Sequence, residues 1–135
     1  MKENLLTLLE NSRGYTLAVA DAMPQNLDNF KPANDGWNFR EQLHHIAYGI
    51  EWWNDNYVKG VKTSWAPPAT SKSRKEVIAY LNQAYDSLKE VLSKTLMNED
   101  RTKGFYATLD HITHHRGQCI VYLRCNGIAA PEYTY

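Results

Sequence analysis

A chain of 135 residues has the length of one ordinary domain, so one core and one site are expected. Hydrophobic residues make up 43%, enough for a packed interior, and 15 Lys and Arg are matched by 15 Asp and Glu. Phosphate neutralisation drives nucleic-acid affinity, so a chain without a basic surplus is not expected to bind DNA or RNA. No apolar run approaches the roughly 20 residues of a membrane helix, and the start MKENLLTLLENSRG has no signal-peptide apolar stretch. A cytoplasmic location without a membrane partner is expected. Cys119 and Cys125 fall in one predicted helix, about 9 Å apart along its axis, too far for a disulfide, which suits a reducing compartment.

The first predicted helix runs from about Lys2 to Met23, with Leu5, Leu6, Leu8, Leu9, Leu17 and Val19 at helix-like spacing, and Pro24 ends it. The polar connection PQNLDNFKPANDG leads to Trp37. Asn38 followed three residues later by Glu41 is a capping box, in which each side chain satisfies a free backbone N–H. Helix two is therefore expected from Phe39 to about Tyr57. Pro67 and Pro68 make VKGVKTSWAPPATSK a loop. Ser73 and Glu76 repeat the capping-box pattern, and Val77, Leu81, Ala84, Leu88, Val91 and Thr95 mark an amphipathic third helix. After the polar break MNEDRTKG, a fourth helix is expected from about Phe105 to Asn126, stopped by Gly127. Strand patterns and hairpin turns are absent from this reading. The expected class is all-α, a single-domain four-helix bundle over residues 1–135, the arrangement in which four such helices bury their apolar stripes together.

The five histidines fall in two clusters, His44 and His45 on helix two, and His111, His114 and His115 on helix four. His111 and His115 are separated by about 40° in projection and 6 Å along the axis, so both imidazoles share one face and can chelate one ion. A third imidazole from a facing helix would complete a three-nitrogen site of the kind that leaves a position for water or substrate. Either His44 or His45 can supply it, but not both, because neighbours differ by about 100°. Spacing alone does not choose between them. On the same helix-four face, Thr108, Cys119 and Tyr122 project within about 80° of His111 and are candidate pocket residues, together with Tyr48 and Trp52 on helix two. Glu41, one turn before His45, is a candidate general base. The zinc-protease pattern fails because Ile112 follows His111 where a Glu is required, and the di-iron pattern fails because Glu41 to His44 is the one Glu-x-x-His segment.

The segments GWNFREQLHHIAYGIEWW and LDHITHHRGQCIVYLRCNGIAAPEY resemble the DinB/YfiT-like superfamily of metal-binding four-helix bundles. The likeness spans nearly the whole chain, and its most specific piece is HITHHRGQ. The resemblance implies three ligands: the helix-two His directly before an Ile-Ala pair, and both His of the His-x-x-x-His-Arg-Gly-Gln segment. In this chain those are His45, His111 and His115, with His44 and His114 as their neighbours.

A divalent ion on three neutral imidazoles keeps its full charge and lowers the pKa of a coordinated water or thiol. Zinc or nickel is expected, and iron, cobalt and copper also suit imidazole ligands. The resemblance implies a metal-dependent enzyme acting on a small-molecule substrate, either an S-transferase using a low-molecular-weight thiol or a hydrolase, and together with the aromatic-rich helices it implies a homodimer. The competing reading is a noncatalytic metal-binding or stress-response protein with a structural metal, motivated by the neutral charge and by a connection before the histidine helix, MNEDRTKGFYA, shorter than in many members.

Overall fold

Helix caps and helix breakers divide the chain where its sequence changes character. The computed structural model describes residues 1–133 and contains four α-helices: α1 (Lys2–Ala22), α2 (Phe39–Trp53), α3 (Arg74–Lys94) and α4 (Glu99–Cys125). No strand occurs among the described residues, so the all-α bundle expected from the sequence is the observed fold.

Met23 turns extended ahead of Pro24, with ψ 124, as the residue before a proline must. The α2 capping box is complete: Asn38 Oδ1 accepts the Glu41 N–H at 2.8 Å, and Glu41 Oε1 accepts the Asn38 N–H at 3.2 Å. At its far end α2 passes into a π-helical turn, Asn54–Lys59, closed by Gly60 at φ 77, so the helical segment extends slightly beyond Tyr57. At α3 only half of the expected box forms. Ser73 Oγ accepts the Glu76 N–H at 3.3 Å, while the Glu76 carboxylate takes the Ser71 hydroxyl instead.

The largest correction concerns α4, which begins at Glu99 and not near Phe105. Asn98 caps it by accepting the Arg101 N–H at 2.9 Å, and Glu99 and Asp100 place negative charge in the first turn, where the helix dipole favours it. What reads as a polar break is a capped, solvent-facing helix start.

Helices α3 and α4 each pack against both α1 and α2, which sets α1 and α2 at opposite corners. Leu5, Leu9 and Val19 of α1 meet Leu81, Tyr85, Leu88 and Leu92 of α3, Phe39, Leu43, Ile46 and Ile50 of α2, and Phe105, Ile112 and Leu123 of α4 in one buried core. One buried polar cluster is paired across it: Tyr85 Oη lies 3.0 Å from both Ser12 Oγ and Thr16 Oγ1, and Arg116 donates to Thr16 Oγ1 at 3.2 Å. No helix among the described residues is long and apolar enough to cross a membrane.

Two loops are tied down beside α2. Buried Arg74 holds the loop after α1 through the Met23 and Pro24 carbonyls and the Asp28 carboxylate. Arg40 joins Asn29 of that loop, at 2.7 Å, to the Ser71 carbonyl of the loop after α2, at 2.8 Å. Because the Asn98 cap closes one of the otherwise unpaired N–H groups at the start of α4, Asn98→Ala is expected to lower stability by about 1 kcal/mol in urea unfolding. An unchanged midpoint would mean that this first turn does not rest on its cap.

Candidate metal centre

The adjacency of α2 and α4 brings the two histidine clusters together. The candidate ligand atoms of His45, His111 and His115 all lie within 4.8 Å of one another, and all three residues are partly buried. His45 Nε2 and His111 Nε2 are 3.0 Å apart, close to the roughly 3.3 Å that two nitrogens keep on one tetrahedral ion. His111 Nδ1 is buried without a hydrogen-bond partner. The donor set is all imidazole nitrogen, and no Cys, Asp or Glu joins the group among the described residues. These residues fit a divalent transition metal.

The approach depends on Gly49, one turn after His45. A Cβ there would lie closer than 3.0 Å to the Cε1 and Nδ1 atoms of His111, so glycine is what allows the imidazole to rest against the α2 backbone. Burial strips water from the rings and lowers their affinity for protons. It holds His45 down at about 3, helped by the neighbouring His115 and His111, and His111 at about 4, helped by His115 and His114. His115 is lowered as well, by burial first and then His114, against a hydrogen bond to Gln118 that raises it. All three present neutral rings at pH 7.

The neighbours point elsewhere. His44 Nε2 donates to the Pro68 carbonyl at 3.0 Å and its ring faces Tyr80, so it fastens the loop after α2 instead of joining the group. His114 lies on the outer side, 3.3 Å from Gln118 Nε2. The choice between His44 and His45 that spacing left open is made by which side of α2 faces α4.

The other candidate site residues are distributed differently from the expectation. Glu41 is engaged in the α2 capping box, and among the described contacts none links its carboxylate to the three imidazoles. Thr108 donates to the Gly104 carbonyl at 2.8 Å inside its own helix. Cys119 is a core residue whose thiol burial pushes up to about 12, which keeps it protonated. Both turn inward because α4 faces the core as well as the site: core-facing Ile112 projects about 100° from His111, Cys119 lies nearer that direction than to either histidine, and Thr108 falls between the two faces. Tyr48 accepts the Ala66 N–H at 2.7 Å and its ring meets Trp65 edge-on. Trp52 packs behind the same Trp65, with its own indole nitrogen buried and unpaired. Tyr122 alone of the helix-four candidates reaches the polar surroundings of His115.

Four residues beside the imidazoles were not singled out from the sequence. Trp37 lies with its ring 4.2 Å from that of His45, and Trp65 with its ring 5.6 Å away; both remain substantially exposed. Gln42 and Gln118 have side-chain oxygens 3.1 and 3.3 Å from His115 Nδ1. The tryptophans arrive on loops, which helical periodicity does not place. Gln42 stands three residues before His45 and Gln118 three after His115, a helical spacing that could have flagged both. Trp37, Gln42, His115 and Gln118 line a depression of about 530 Å³. A larger one, about 660 Å³, lies between the π-turn and the start of α4 and contains no histidine; donor chemistry, not size, selects the first.

Residues 8–119 match the DinB superfamily. The fold is similar to the crystal structure of a DinB-like protein from Bacillus cereus ATCC 10987, with a TM-score of 0.81 at 18% identity, over 98% of this chain and 97% of that one. At that identity the likeness carries the fold alone. Comparison with curated proteins gives no match.

Two outcomes follow from this geometry. Gly49→Ala forces the His111 ring off α2 and is expected to lower stability by about 1–3 kcal/mol as an overpacking substitution; a denaturation midpoint equal to the parent would show that the gap can absorb a methyl group. In metal-free protein, His45 and His111 hold fewer protons when folded than when unfolded at any pH between their folded values, about 3 and about 4, and their ordinary value of 6.5. Acid therefore favours unfolding, and the melting temperature should be nearly flat above pH 7 and fall as pH drops from 6.5 towards 4. Replacing His45 by Gln should flatten that slope.

Proposed function

The chain belongs to the DinB superfamily, and from that premise we propose that it is a metal-dependent enzyme holding one divalent ion, zinc or nickel, on His45, His111 and His115. The observation that carries the reading is the convergence of three neutral imidazoles from two helices within 4.8 Å, a group that no fourth His, Cys, Asp or Glu joins among the described residues. Structural zinc sites are closed by four protein ligands, whereas catalytic ones keep three. When bound, the ion supplies a Lewis-acid centre of full positive charge, the property on which hydrolytic and thiol-transfer chemistry both draw.

The chain's own residues support a small-molecule substrate. Trp37 and Trp65 both lie beside His45 and offer flat apolar surface there, and the depression beside His115 has the volume of an ordinary small-ligand site. Cys119 is buried and protonated and the exposed Cys125 is not part of the depression's lining, so the thiol for transfer is a low-molecular-weight cosubstrate from outside the chain. S-transfer from such a thiol and hydrolysis are the two reaction classes proposed.

Protein purified without a polyhistidine tag is expected to carry one ion per chain by elemental analysis. His45→Ala, His111→Ala and His115→Ala should each remove it while leaving the helical circular dichroism in place. Copper added to metal-free protein should quench tryptophan emission up to one equivalent, because Trp37 adjoins His45, and the quenching should shrink in Trp37→Phe. Thiol-transfer and hydrolysis screens on the loaded protein then choose the reaction. Metal retained by all three alanine variants would refute the site; a loaded protein inactive in every screen and holding a fourth, non-exchanging ligand would refute catalysis.

A further inference from the structure

The hydrogen-bond roles around His115 can be worked out from one fixed point. The backbone carbonyl of Trp37 can only accept, so Tyr122 Oη, 2.7 Å away, donates its single proton to it. With that proton committed, the Tyr122 oxygen can only accept from Gln42. The Gln42 atom 3.2 Å from it is therefore the amide nitrogen, and the same NH2 group donates to Gln118 Oε1 at 2.6 Å. The orientation of both glutamines follows. Gln42 turns its oxygen to His115 Nδ1 at 3.1 Å, and Gln118 Oε1 stands 3.3 Å from the same nitrogen, while the Gln118 amide nitrogen faces His114.

An imidazole nitrogen set against two carbonyl oxygens carries the hydrogen, and a neutral ring has only one to carry. His115 Nδ1 is thus the protonated nitrogen and Nε2 bears the lone pair. Gln42 is 3% exposed and Tyr122 7%, so solvent is poorly placed to replace these partners. We propose that Gln42, oriented by Tyr122, is a positioning residue that locks His115 in its Nδ1–H tautomer and reserves Nε2 for the centre shared with His45 and His111. As far as metal affinity is concerned this rests on the proposed metal centre; the tautomer itself does not. Gln42 belongs to α2 and offers the shorter of the two contacts, so a side chain of one helix, with Gln118 of α4 as the second acceptor, helps set the donor atom of the other.

The experiment reads tautomer and affinity separately. In metal-free, histidine-labelled protein above pH 7.5, long-range proton–nitrogen NMR should show His115 protonated at Nδ1. Gln42→Leu should shift it towards the Nε2–H form, and Gln42→Glu, which keeps an acceptor facing His115, should restore Nδ1–H. Zinc affinity, measured by competition with a chromogenic chelator, should fall about 10- to 100-fold in Gln42→Leu, by less in Tyr122→Phe, and recover at least in part in Gln42→Glu. Tyr122→Phe also serves as the second variant should Gln42→Leu not fold. Finding His115 protonated at Nε2 in the parent protein, or the same tautomer and zinc affinity in Gln42→Leu, overturns the inference. If the parent binds no zinc, the metal reading fails, and the tautomer measurement still decides the role of Gln42.

Discussion

The close packing of α2 on α4 is the constraint from which the site follows. Where the two helices meet, the ring of His111 lies against the bare backbone of Gly49, nearer than any side chain would allow. That contact holds the His111 imidazole 3.0 Å from His45 Nε2, and the i, i+4 spacing of α4 then carries His115 to the same place. The same packing removes the rings from water, which keeps them neutral and makes them donors instead of cations at physiological pH. A helix pair spaced by a larger residue at position 49 would separate the donors and return them to solvent together.

Around this contact the protein uses polar groups for aiming and apolar groups for enclosure. The long connections are held by a few strong anchors: Arg74 fixes the loop after α1, Arg40 joins the two loops, and Tyr48 and His44 each fasten the loop after α2. Their combined effect is to set Trp37 and Trp65 beside His45. Glu41 and Tyr48 thus act on the site indirectly, one by starting α2 and the other by tethering the loop that bears Trp65. Among the described residues no Cys, Asp or Glu joins the imidazole group, and the side chains that hydrogen-bond His115 Nδ1 are neutral amides.

Much of this was legible in the chain. Apolar periodicity marked α1 and α3, the Asn38–Glu41 box located the start of α2 to the residue, Gly127 marked the end of α4, and the two histidine clusters with the His-x-x-x-His-Arg-Gly-Gln segment pointed to the residues that converge. Sequence misleads where a local pattern has two meanings. MNEDRTKG looks like a break because it is polar, yet a polar segment with an Asn cap and acidic first turn is equally a solvent-facing helix start. Thr108 and Cys119 share a projected face with His111, but α4 is buried on more than one side, so projection does not separate core from site. Helical spacing could place Gln42 near His45, but not assign its role, which exists only in relation to Tyr122 and His115, 80 and 73 positions away.

Residue order alone therefore settles the helical class, the approximate helix limits and the clustering of imidazoles on two helices, because these depend on hydrogen bonds and spacings within a few residues. Which of His44 and His45 turns inward, which tryptophans stand over the rings, and whether a polar side chain caps a helix or faces a ligand were decided by tertiary packing. Those outcomes depend on the side from which α3, α4 and two loops approach α2, a relation between distant segments that local periodicity does not encode.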